Sequence, residues 1–197
     1  MSAPKYTIFA GVNGVGKTTL YRILSKYEDF GARVNIDEIV EAEGSWKDKL
    51  LQIFASRKAL SMIKECIDRG VSFHQETTVP NATIIKLIKR AREKGYTICL
   101  YYVGVENLQT AINRVNSRVQ KGGHGIDEDI IRQRFDTIPS ALADVLPLVD
   151  SAFFYDNTVK FIQAAHAENN KLVDVDIDLP VWFWELIAKS KKANSSK

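Results

Sequence analysis

The chain has 197 residues, 45% hydrophobic and 26% charged, which suits one full α/β domain and leaves too little length for two. Its 27 Lys and Arg against 24 Asp and Glu give a net charge of +3, and four lysines fall in residues 189–197, so the body is near neutral. That balance excludes the broad basic face of a protein that neutralises many backbone phosphates; it argues against a nucleic-acid partner and favours small anionic ligands.

In chain order, Tyr6 to Ala10 reads as a buried parallel strand and Lys17 to Lys26 as the helix it feeds. Between them Gly11-Val12-Asn13-Gly14-Val15-Gly16-Lys17-Thr18 fits G-x-x-x-x-G-K-[ST], and the strand-loop-helix context that the pattern requires is present. The glycines let backbone N–H groups from Gly11 to Thr19 approach phosphate oxygens. Lys17 adds a mobile positive charge, the start of the helix adds its dipole, and the Thr18 hydroxyl is a ligand for Mg²⁺.

A short strand, Ala32 to Asn35, hands over at Asp37 to a helix, Glu38 to Glu43, with Asp37 as its N-cap. Ser45 and Asp48 form a capping box for a long amphipathic helix that Gly70 closes. Val71 to Gln75 is the next strand, with Glu76, Thr77 and Thr78 just past its carboxyl end. Val79-Pro80 turns the chain, Asn81 caps the helix Ala82 to Lys94, and Tyr96 to Val103 is a strand apolar on both faces.

Leu108 to Gln120 is helical, Lys121 to Gly125 is a glycine-rich elbow, and Asp127 caps a second helix through Phe135, stapled by Ile126 and Ile131. Ser151 to Tyr155 returns as a strand, followed by the turn Asp156-Asn157. Phe161 to Ala167 and Lys171 to Ile177 form a terminal pair of strands, and a helix from Pro180 to Lys189 packs through Trp182 and Trp184. Strands alternating with helices predict a P-loop NTPase fold: a doubly wound, mostly parallel sheet with helices on both faces. The expected organisation is a single kinase-like domain over residues 1–188, with an arginine-bearing helical lid near 107–137, and a basic disordered tail over 189–197.

No apolar run approaches the length of a membrane span, and the first strand leaves no room for a signal peptide. Cys66 and Cys99 read as reduced, buried thiols, which fits a cytoplasmic protein.

Ligands of an open parallel sheet gather outside the carboxyl ends of its strands, which brings together the glycine loop, Asp37, Glu76 and the arginine helices. Phosphoryl transfer needs cations around the moving phosphate and a carboxylate to take the proton of the acceptor hydroxyl. Asp37 is the candidate base. Glu76 is placed to orient substrate, to bind a hydroxyl or to reach magnesium through water. Arg114 and Arg118, four apart on one helix face, and Arg134 beyond the elbow are candidates to cover the phosphate, with Arg132 turned to solvent. His124 lies between glycines and has either a loop or a site role, whereas His74, inside a strand, reads as structural.

The blocks Gly11-x-x-Gly14-x-Gly16-Lys17-Thr18, Asn35-x-Asp37-x-Ile39, Phe73-x-x-Glu76-Thr77-Thr78, Arg114-Val115-x-x-Arg118-Val119-x-x-Gly122-Gly123-His124, Arg132-x-Arg134-Phe135 and Tyr155-Asp156-Asn157 together resemble the zeta-toxin type of P-loop kinase, over residues 6 to about 157. The resemblance implies an ATP- and Mg²⁺-dependent kinase in which Lys17 and Thr18 hold nucleotide and metal and Asp37 is the general base. It also implies that Glu76 and Thr77 contact substrate and that the lid arginines clamp phosphate. Plasmid toxins of this type phosphorylate UDP-N-acetylglucosamine and are restrained by a small antitoxin. This chain is shorter than those toxins, and Asn13 stands where their phosphate loop frequently has proline. The acceptor expected here is a hydroxyl of a small molecule such as a nucleotide sugar. A polynucleotide kinase and a nucleotide-controlled, toxin-like binding module with little turnover are the alternatives.

Overall fold

Alternation along the central strands sets the layers. The computed structural model describes residues 3–78, 81–176 and 178–195, so the Val79-Pro80 turn and Ile177 lie outside the described residues. In β1 (Lys5–Ala10), Tyr6, Ile8 and Ala10 face one apolar cluster and Phe9 the other, all fully buried. In β4 (Thr97–Gly104), Ile98, Leu100 and Tyr102 join the first cluster, and Cys99, Tyr101 and Val103 the second. Strands covered on both faces carry such near-continuous apolar runs because each side chain, whichever way it points, meets a packed layer.

The sheet is completed by β2 (Ala32–Val34), β3 (Phe73–Thr77), β5 (Ser151–Asp156), β6 (Ile162–Glu168) and β7 (Lys171–Val175), in the order β2-β3-β1-β4-β5-β6-β7. The first five pair in parallel, and β6 and β7 extend the sheet antiparallel. Helices α3 (Lys49–Arg69), α4 (Ala82–Glu93), α6 (Glu128–Val145) and α7 (Val181–Ser195) cover one face with Ile63, Ile67, Ile88, Leu142 and Phe183. The other face is covered by α1 (Lys17–Leu24) and α5 (Leu108–Gln120), through Leu20, Ile112 and Val115. The remaining helix, α2 (Ile36–Glu43), follows β2. Among the described residues no helix is long and apolar enough to cross a membrane.

Several local expectations are revised. Asn35, not Asp37, caps α2: its Oδ1 accepts from the Asp37 backbone N–H at 3.0 Å, so the Asp37 side chain is free of that role. Asp48 itself caps α3, accepting from Leu50 and Leu51 N–H at 2.9 and 3.1 Å, and replaces the expected capping box. The third strand is shifted by two residues, so Glu76 and Thr77 close β3 instead of following it. Helix α6 passes Phe135 and Pro139 to Val145, because Ile131, Ile138, Leu142 and Val145 continue one buried stripe. Helix α7 likewise runs beyond Lys189 to Ser195. Cys99 is buried as expected, but Cys66 is only partly so.

Candidate active site

The phosphate loop leaves β1 at Ala10 and ends at Gly16, the N-cap of α1. Gly14 has φ +84° and lies against α5, where a Cβ would run into the Ala111 carbonyl oxygen. From the end of β5, Asn157 Nδ2 donates to the Val15 carbonyl oxygen at 2.8 Å and holds the loop from below. The side chains of Val12 and Val15 point into the core, so these two residues offer a ligand only their backbone. Lys17 Nζ donates to the carbonyl oxygens of Gly11 and Val12 at 2.8 and 3.1 Å. Desolvation pulls its pKa down to about 8, against the opposing pull of Glu76 and Asp37.

Register places the first acid. Glu76 lies beside Phe9 in the β1–β3 ladder, so its side chain reaches the start of α1. Thr18 Oγ1 donates to Glu76 Oε2 at 2.7 Å, and the other carboxylate oxygen meets Arg33 Nη2 at 2.6 Å. The Glu76 side chain is only 7% exposed, a burial that an ionised carboxylate tolerates when it is paired. Asp37 stands on the first turn of α2 with its side chain 49% exposed to the cleft and 3.6 Å from His124 Nε2. It is within the site and still open to a substrate.

The arginine helices close the cleft from the other side. Arg114 Nη2 donates to the Thr158 carbonyl oxygen at 3.1 Å, while its Nη1 is buried without a partner. Arg118 has Nε and Nη2 in the same condition. Arg134 Nη1 donates to Asn13 Oδ1 at 2.8 Å; burial lowers its pKa, with Asp37 opposing. The elbow between the helices rests on the α2–α3 connection: Trp46 lies so close to Gly125 that a Cβ there would be 2.7 Å from the indole, and its ring is 5.8 Å from that of His124. His124 Nδ1 is also buried without a partner. Arg132 is exposed.

These groups line one cleft of about 1070 Å³ that includes Asn13, Gly14, Gly16, Lys17, Thr18, Thr19, Asp37, Glu76, Thr77, Arg114, Arg118 and Arg134. Buried guanidinium N–H groups without acceptors are unfavourable, and Arg114 and Arg118, which carry them, line this cleft. The residues therefore fit a nucleoside triphosphate. Among the described residues no three His, Cys, Asp or Glu side chains cluster tightly enough to hold a metal alone. A cation would use the Thr18 hydroxyl, Glu76 and ligand phosphates, as Mg²⁺ ordinarily does.

Of the residues expected at the site, Gly11, Val12 and Val15 do not line this cleft, Val12 and Val15 having their side chains in the core; the others do line it. Three contributors escaped the sequence reading: Arg33 on Glu76, Asn157 under the loop, and Trp46 against the elbow. Asn157 alone left a signal, the Tyr155-Asp156-Asn157 block after a strand.

A family model described as Zeta toxin matches residues 1–159. An uncharacterised protein of Haemophilus influenzae is 30% identical over 131 residues, covering 66% of this chain and 92% of its own length. A structure from the PezAT chromosomal toxin-antitoxin system of Streptococcus pneumoniae superposes with a TM-score of 0.60 at 15% identity, over 100% of this chain and 88% of the other. The AvrRxo1-ORF1:-ORF2 complex with ATP superposes with a TM-score of 0.67 at 14% identity, over 95% and 64%. At such identities the structural likeness speaks for the fold.

Proposed function

The chain belongs to the zeta-toxin family, and on that premise we propose that it is an ATP- and Mg²⁺-dependent kinase that transfers the γ-phosphoryl group to a hydroxyl of a small molecule. The observation that carries the reading is the convergence of Lys17, Arg118 and Arg134 with the open carboxylate of Asp37 on one cleft. Three cations provide for a charged phosphoryl group, and one carboxylate provides for a proton.

When bound, Mg²⁺·ATP supplies the transferable phosphoryl group and part of the charge neutralisation. The backbone amides from Gly11 to Thr19 would hold the phosphates, Lys17 would pair with the outer phosphate, and Thr18 with Glu76 would hold the cation. Asp37 accepts the proton of the acceptor hydroxyl as its oxygen forms the new bond to phosphorus and the bond to the leaving ADP oxygen breaks. Arg114, Arg118 and Arg134 cover the moving group and exclude water, which suits a lid over about residues 107–137 of a single domain. Thr77 and the open side of the cleft receive the acceptor.

Family membership favours a nucleotide sugar such as UDP-N-acetylglucosamine as that acceptor and a cytoplasmic site of action. The toxin-antitoxin setting of the PezAT relative favours a small antitoxin as the protein partner. The test is ATP turnover by the pure protein across nucleotide sugars, simple sugars and an oligonucleotide. Acceptor-stimulated turnover with a phosphorylated small molecule is expected. D37N should lose about 10²-fold or more of it while still binding ATP; a fully active D37N removes the assignment.

A further inference from the structure

Arg33 belongs to none of the nucleotide motifs and lies on the three-residue strand β2. Its Nη2 meets Glu76 Oε1 and Glu38 Oε1, each at 2.6 Å, and its Nε meets both Glu38 oxygens at 2.9 Å. Its Cζ lies 4.1 Å above the centre of the Tyr21 ring, and its Nη1 is 3.2 Å from His74 Nε2. His74 Nδ1 is 3.3 Å from the Phe30 carbonyl oxygen, so the tautomer that donates there leaves Nε2 to accept from Arg33. The His74 and Tyr21 rings stack at 4.5 Å. A guanidinium held by two acids, an imidazole and an aromatic face has one orientation open to it.

That orientation governs two acids that the reaction uses or depends on. Glu76 has one oxygen on Arg33 and the other on Thr18, so its rotation about the carboxylate is fixed. Glu38 is the neighbour of Asp37 on the first turn of α2. We propose that Arg33 is the positioning residue of this site, holding Glu76 as acceptor of the Thr18 hydroxyl proton and, through Glu38, fixing the distance between that carboxylate and the helix that bears Asp37. With its proton committed to Glu76, the Thr18 oxygen keeps its lone pairs for a cation. Without Arg33, Glu76 is a buried carboxylate lacking its countercharge and is free to turn from Thr18. The proposal rests on the kinase reading, and it assigns to Arg33 a task that a merely structural arginine would not have.

The experiment is titration of a fluorescent ATP analogue onto the full chain, with Mg²⁺ and with EDTA, for wild type, R33M, R33K and E38Q. Wild type should bind more tightly with Mg²⁺. R33M should lose about tenfold or more of that enhancement, the range seen when groups that orient metal ligands are removed, and keep its affinity in EDTA. R33K, whose single ammonium reaches one acid but cannot fork across two, should fall between. Should R33M not fold, R33K alone carries the same comparison. E38Q should keep the Mg²⁺ enhancement and lose acceptor-dependent turnover several-fold, because only the branch to α2 loses its charge and one of its two acceptor oxygens. Full enhancement in both Arg33 variants, or its loss in E38Q, overturns the proposal. Wild type that ignores Mg²⁺ overturns the kinase reading first, before any substitution is made, and this inference with it.

Discussion

Arg134 Nη1 and Asn13 Oδ1, 121 residues apart in sequence, are joined by a 2.8 Å hydrogen bond that ties α6 to the phosphate loop. The arginine that would cover a phosphate is also bonded to a side chain of the loop that would cradle it. N13A should therefore weaken the ligand-free protein by about 1 kcal/mol, a fall in Tm of roughly 2–4 °C. It should also increase the Tm rise on adding Mg²⁺·ATP, since Arg134 no longer has to leave a partner. Thermal melts with and without nucleotide decide it: an unchanged or smaller rise contradicts the latch.

Arg118 presents the complementary case, with Nε and Nη2 buried and without acceptors. Met has a similar reach and no charge, so R118M should leave the ligand-free Tm unchanged or raised. The same variant should reduce turnover by about 10²-fold or more if the guanidinium meets the transferring phosphate. A large loss of Tm with normal turnover would make Arg118 a scaffold residue.

Lys17 gives a pH dependence whose sign is fixed. Its pKa stands at about 8 instead of the ordinary 10.5, so the unfolded chain binds more protons than the folded one between these values. Ligand-free stability should rise as pH climbs from 8 towards 10.5. Phosphate favours the charged ammonium, so ATP affinity should fall over the same climb, and binding at about pH 8.5 should take up a proton. Calorimetry in two buffers of different ionisation heat reads that uptake. K17M should abolish it, and equal heats for wild type would contradict the shift.

Gly14 and Gly122 share φ +84°, yet a Cβ at Gly14 meets the Ala111 carbonyl whereas at Gly122 nothing lies within 4 Å. G122A should register the backbone term alone, about 1–2 kcal/mol. G14A should be less stable than G122A and should lose ATP binding. Chemical denaturation of both variants makes the comparison, and equal losses would mean that the loop yields freely away from α5.

The parts of the site that sequence made legible are those whose chemistry constrains spacing. A phosphate loop uses backbone amides and so needs glycines at set intervals, and Asp37, Arg114, Arg118 and Arg134 stand where strands and helices of this fold deliver ligands. Arg33 was illegible because its partners come from tertiary structure: the β2–β3 register sets Arg33 beside His74, and Glu76 follows two residues on. Val71 is apolar and extends the strand pattern two residues too far forward, yet it is 40% exposed and precedes the strand. Asn35 and Asp37 both favour the cap of α2, and backbone geometry chooses Asn35. Pro139 masked the rest of α6, where the packing of Ile138 and Leu142 outweighs the N–H that proline lacks.

The seating of Trp46 against Gly125 gives the molecule an optical gauge of its own. Trp182 is buried with its indole N–H bonded to Asp156 Oδ1 at 2.8 Å, and Trp184 is 59% exposed on α7. Neither is in the cleft wall, so a W184F background leaves one indole with a constant signal and one whose emission colour follows the glycine elbow. On the lid reading, opening should wet Trp46 and move its emission to the red, closing should dry it and move the emission to the blue, and stopped-flow mixing with nucleotide would time the movement without an added dye.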